Sequence, residues 1–297
     1  MQKPESSASP LLLKKSGFHV RLRTIPPAHK WFGLSVVLLV LFLLYTAIFL
    51  TGVLLLPTLY LEQWLLHRPL TGIDCVFHQW KTFGEVPMSL FFTFVLGMGC
   101  LWLGYRRRML PYLLLLMLLC IGSETVGKQI FPQPVPVSLE SGMGNLGCQQ
   151  MSEQSPLGLK LSLILGMWWE APHSPAWRVQ QTLVSANTPF TLDKTANQYG
   201  YPGGHAIRWM FLGLILSWLV WRHVRKRLLR RLLLVITLAI AFGGGLLLVY
   251  TGSHLATDLL AGYLIGASAA CCAIGLLMQN EARREKERPK VTDVLDT

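Results

Sequence analysis

Residues 31–56 read WFGLSVVLLVLFLLYTAIFLTGVLLL, 26 consecutive positions without a charged side chain. At about 1.5 Å of helical rise per residue, a bilayer core needs roughly 20 such residues to cross it. The stretch is long enough, and it has company. Runs at 232–250 and 257–278 pass the same test, and 87–105, 109–127 and 205–221 follow with slightly relaxed edges. The composition agrees: of 297 residues, 52% are hydrophobic and 14% charged, against roughly a quarter charged in soluble domains. Mean hydropathy is +0.43. A disordered chain, a secreted disulfide scaffold and a soluble enzyme are thereby excluded. The expected fold is all-α: a polytopic membrane protein of six transmembrane helices with an extracytoplasmic loop subdomain.

The net charge of +12 raises nucleic acid as a partner, but its distribution answers otherwise. Lys and Arg cluster beside the apolar runs, as orientation signals do. With a cytoplasmic N-terminus, 20 of the 27 basic residues fall in inside segments: 1–30, Arg106 to Arg108, 222–231 and 279–297. Six fall outside, namely Arg68, Lys81, Lys128, Lys160, Arg178 and Lys194, and Arg208 lies within the fourth span. Both termini are expected inside, and no nucleic-acid partner is needed. The first apolar run exceeds the 7–15 residues of a signal h-region and lacks a following A-x-A-like site, so it reads as a span.

Residues 1–30 read as a basic arm, 31–278 as the membrane domain and 279–297 as a charged cytoplasmic tail. A 77-residue connection at 128–204 is too long to be without structure. Within it, 157–169 is apolar but short, which suits an interfacial or re-entrant helix with Trp168 and Trp169 at headgroup level. Cys100, Cys120, Cys271 and Cys272 fall in spans as small apolar packing residues. Cys75 and Cys148 fall in outside loops, where an oxidising compartment would let them pair; two separate thiols is the other reading. Asp74, Cys75 and His78 make too mixed a set for a metal site, and no metal or cofactor is expected.

Ionisable groups at span ends are candidate site residues, and three such places share the outside face. They are Lys128, Tyr201-Pro202-Gly203-Gly204-His205, and Gly252-Ser253-His254-Leu255-Ala256-Thr257-Asp258. His254 and Asp258 are four apart, so one helix face would let the carboxylate orient the imidazole. Gly203 and Gly204 permit close backbone approach to an anion at a helix N-terminus, and Lys128 adds a point charge. A phosphate between His254 as nucleophile and His205 as general acid fits this set.

With those residues in view, the chain resembles the type 2 phosphatidic acid phosphatase superfamily. Its three blocks are Lys-x6-Arg-Pro, Pro-Ser-Gly-His and Ser-Arg-x5-His-x3-Asp. They correspond to Lys128 and Pro136; Pro202, Gly204 and His205; and His254 and Asp258. The continuation from Asp258 through Gly262 to Gly266 is also typical, and the resemblance covers roughly 87–278. It implies six spans, an outside-facing site, and phosphate hydrolysis or transfer through a phosphohistidine. The sequence departs at Val135 and Leu248, where the family has arginines, and at Gly203 and Leu247, where it has serines. The Pro-Gly-Gly-His form is similar to that of the lipid A phosphotransferase branch. Both phosphate-clamping guanidinium groups are thus missing. Arg208, one helical turn after His205, is the first substitute, with Lys194 and Arg178 next; the alternative reading of Arg208 is an interfacial anchor.

The function expected is a lipid phosphatase or phosphotransferase of a bacterial-type inner membrane, acting on a lipid phosphate or diphosphate at the outer face. The alternative is a degenerate member that binds a lipid headgroup or a partner protein. A transporter would need charged or broken mid-span segments. The topology has a direct test. Membrane-impermeant thiol reagents on intact cells should modify cysteine reporters placed in 128–204 and spare those at 222–231. Labelling at 222–231 would put the histidines in the cytoplasm.

Overall fold

The computed structural model describes residues 28–54, 57–58, 61, 80–131, 200–250 and 254–287. Among them lie six long helices: α1 (Ala28–Leu50), α2 (Val86–Trp102), α3 (Met109–Ile130), α4 (Gly204–His223), α5 (Arg227–Tyr250) and α6 (Ala256–Glu287), with a 3₁₀ turn at Lys81–Gly84. The described residues contain no strand. Five helices are long and apolar enough to cross a membrane, and α2, at 17 residues, is the shorter apolar one. The chain is a multi-pass helical membrane protein. The expected Cys75–Cys148 pair, the 157–169 helix, Val135, Pro136, Arg178 and Lys194 all lie outside the described residues.

Several helix ends differ from their expected positions for local reasons. α3 continues to Ile130, so Lys128 stands in its last turn rather than beyond it. α5 begins at Arg227 and takes part of the basic run into its first turns. α6 reaches Glu287, well past 278. Its far end is held by Asn280 accepting from the Arg106 N–H at 3.3 Å, and by Glu281 meeting Arg222 at 3.3 Å and the Tyr105 hydroxyl. α2 stops at a glycine in the left-handed region, Gly104 at φ 88°. The Gly104 N–H donates to Leu101 O at 2.8 Å and the Tyr105 N–H to Cys100 O at 2.9 Å, the paired bonds of a Schellman end.

α4 is the central helix. Most of it is buried, whereas α1 buries a single side chain, Thr46. A helix apolar on every side reads this way when lipid is its solvent. α1 packs along α6, joined by Ser35 and Ser268, and α4 packs on α5, α6 and α3. The core between them includes Leu113, Met117, Ile207, Phe211, Ile215, Ile274 and Leu277. Lipid chains match apolar side chains in polarity, so helices associate here through close contact at small residues. A side chain at Gly266 would strike the Ile207 carbonyl of α4, and one at Gly262 would meet Gly203 O at 2.5 Å.

The Gly243-Gly244-Gly245 run separates by contact. Gly244 lies against the Trp209 indole and Gly245 against Leu259 and Tyr263, while Gly243 has nothing within 4 Å. Gly243→Ala should therefore be neutral or gain up to about 1 kcal/mol from helix propensity. Gly266→Ala should cost about 1–3 kcal/mol through overpacking. Thermal unfolding in detergent micelles measures both, and equal effects at the two positions would sink the close-packing account.

Candidate active site

The start of α2, the end of α3, the start of α4, the end of α5 and the start of α6 meet at one end of the bundle. The opposite end carries Arg106 to Arg108, Arg222, Arg227 and Arg284 at the other helix ends. At the first end the chain enters α4 through Tyr201-Pro202, a cis peptide bond. Tyr201 is anchored by its hydroxyl to Thr46 at 2.6 Å and by stacking on Phe49 with ring centroids 4.2 Å apart. Burial pushes its phenol up to about 12. Gly127 of α3 leaves the room that Pro202 fills, since a side chain there would overlap the proline ring.

His254 precedes α6 rather than lying on it, so helical spacing alone does not bring it to Asp258. The carboxylate folds back instead. Asp258 Oδ2 accepts the Leu255 N–H at 3.1 Å and stands 3.5 Å from His254 Nδ1, while Oδ1 accepts from the Thr257 hydroxyl at 3.4 Å. An acidic residue in the first turn bonding back to the N-cap N–H is half of a capping box. The same motif that starts the helix thus fixes the carboxylate beside the imidazole. Asp258 is buried, and a side chain at Gly200 would fall on its carboxylate.

His205 lies one residue into α4, buried, with its ring centroid 6.3 Å from that of His254. Its Nε2 is 3.0 Å from the Lys81 carbonyl and 3.8 Å from Glu85 Oε1, and its Nδ1 is 3.4 Å from Arg208 Nη2. A carbonyl only accepts and a guanidinium only donates, so the neutral ring bonded this way carries its proton on Nε2. The Gly203 N–H donates to the Asp258 carbonyl at 2.9 Å. The glycine expected to face an anion therefore ties α4 to α6.

Arg208 lies beside His205 but faces neither lipid nor water; it is 2% exposed. Its Nε donates to Gly84 O at 2.7 Å and its Nη1 meets Glu124 Oε2. Glu124, 7% exposed, also takes Lys128 Nζ on Oε1 at 2.6 Å. This carboxylate was absent from the sequence reading. Its signal was present, as an acid inside an apolar run four residues before Lys128, where the two share a helix face. Leu248, at the position of the second missing arginine, is buried, and its carbonyl accepts the His254 N–H at 3.2 Å. Lys128, His205, Arg208, His254 and Asp258 thus converge, while Gly203 and Gly204 serve the backbone beneath them.

Two buried charges in contact should behave as a unit. Glu124→Leu alone should destabilise by about 3–5 kcal/mol because it strands the Arg208 charge. Combining it with Arg208→Met should cost clearly less than the sum of the single changes. Unfolding in micelles gives the cycle, and strict additivity would mean the pair is not coupled.

The sequence profile of the PAP2 superfamily matches residues 108–282. A search of curated proteins finds no match. Among solved structures, the chain is similar to the first transmembrane PAP2 type phosphatidylglycerolphosphate phosphatase from Bacillus subtilis. The identity is 16%, over 86% of this chain and 98% of that one, with a TM-score of 0.49.

Proposed function

The chain belongs to the PAP2 superfamily, whose profile spans more than half of it, and on that premise we propose a membrane enzyme that hydrolyses or transfers the phosphate of a lipid phosphate or diphosphate. The observation that carries the reading is the facing pair His205 and His254, 6.3 Å apart between ring centroids, with Asp258 behind one ring and Arg208 beside the other. A phosphoryl group between two imidazoles needs little more than positioning and charge.

His254 Nε2 attacks phosphorus, since Nδ1 is turned to Asp258. The P–O bond to the lipid breaks, and His205 gives its Nε2 proton to the leaving oxygen. Arg208, in turning to the phosphate, frees His205 Nδ1 to take a proton from water, so the ring that donates from Nε2 is left neutral. The phosphohistidine carries positive charge that Asp258 stabilises. Water or an acceptor hydroxyl then attacks phosphorus, His205 takes its proton, and the N–P bond breaks. The site lies at the end of the bundle, which suits a substrate whose tails stay in the bilayer while its headgroup meets the histidines. The basic clusters at the other end favour the outer face for the site.

A non-catalytic headgroup-binding protein is the second reading. It is favoured by the two absent arginines and by the engagement of Arg208 with Glu124. Phosphate release by the purified protein from a panel of lipid phosphates and diphosphates separates the two. The enzyme reading expects release, abolished in His254→Ala. Arg208→Ala should lower turnover by about 10² or more, as for a lost preorganised donor, and Arg208→Lys should restore only part because a point charge lacks the fork. No release by the wild type from any lipid tested would favour the binding protein.

A further inference from the structure

Glu124 stands where an anion would. Its carboxylate takes Lys128 Nζ on one oxygen and Arg208 Nη1 on the other. It lies so close to Gly204 that a side chain on that residue would overlap it. Gly204 is the first residue of α4, where the helix dipole favours negative charge. An ammonium, a guanidinium and a helix start are the partners a phosphate takes. Arg208 also reaches His205 Nδ1 at 3.4 Å, so the guanidinium that holds this carboxylate also touches the ring proposed as the general acid. Lys128 is the accessible member, with 36% of its side chain exposed against 10% for Glu124. Two anions do not share one pair of cations without strong repulsion at this separation.

We propose that the Glu124 carboxylate is an internal occupant of the anion cradle, seated on Arg208 and Lys128 until the phosphate of a substrate displaces it. The inference rests on the reading of this cluster as a phosphate site. It explains how a buried guanidinium is kept neutralised and oriented while the site is empty. It also gives the chain a specificity device, because only a ligand with more charge and more acceptor oxygens than a carboxylate takes the cations from it.

The test is equilibrium binding of inorganic phosphate to the purified full chain in micelles, by calorimetry and by phosphate-dependent thermal shift. Glu124→Gln removes the competing charge and should bind phosphate about tenfold or more tightly than the wild type, as for loss of a competing charge-assisted bond. Glu124→Asp keeps the charge but draws it back by one methylene, and it too should bind phosphate more tightly. It remains decisive if the Gln variant fails to fold. Tightening in Gln without tightening in Asp would mean that only net charge matters, and would overturn the proposal. Unchanged or weaker binding in both, or no phosphate binding by any form, would overturn it as well. No turnover is involved, so a chain that binds phosphate as expected but releases none from lipids refutes the enzymatic reading and leaves this one standing.

Discussion

The buried contact between Arg208 and Glu124 is the constraint on which the arrangement of this end of the bundle depends. A guanidinium 2% exposed inside an apolar bundle is costly unless its donors are met. Its partners come from three different elements: the carboxylate from α3, the Gly84 carbonyl from the 3₁₀ turn, and its own neighbour His205 on α4. Satisfying one side chain therefore sets the relative height of three segments. The same contact orients His205, because a donor on Nδ1 and a carbonyl on Nε2 leave the neutral ring a single tautomer.

The α6 side of the site is built by a different means. There the carboxylate that starts the helix also faces His254, and the Asp258 main chain receives the Gly203 N–H. The small residues Gly262 and Gly266 let α6 lie directly on the α4 backbone. Close packing thus holds the two histidines at a set separation, and electrostatics sets what each ring can donate or accept. Rigid helices on both sides are what the proposed placement of a phosphoryl group between two imidazoles requires.

The apolar runs, the basic clusters beside them and the three motif blocks were legible in the sequence by itself. Each depends on local chemistry: a span needs continuous apolar residues, and orientation follows from the basic residues beside it. That much determined a helical membrane protein of this family, with His205, His254, Asp258 and Lys128 at span ends on one face. The tertiary structure decided what those residues touch. Glu124, one acid in an apolar run, takes on a role only where α4 brings Arg208 against it. Arg208 read as an interfacial cation or a free phosphate clamp until its partners were in view. His254 and Asp258 are spaced for one helix face, yet they meet because the Asp258 carboxylate folds back toward the residues that precede α6. Long-range pairing of buried charges has no periodicity along the chain, since it depends on which helices lie side by side, and that is fixed only when the small residues pack.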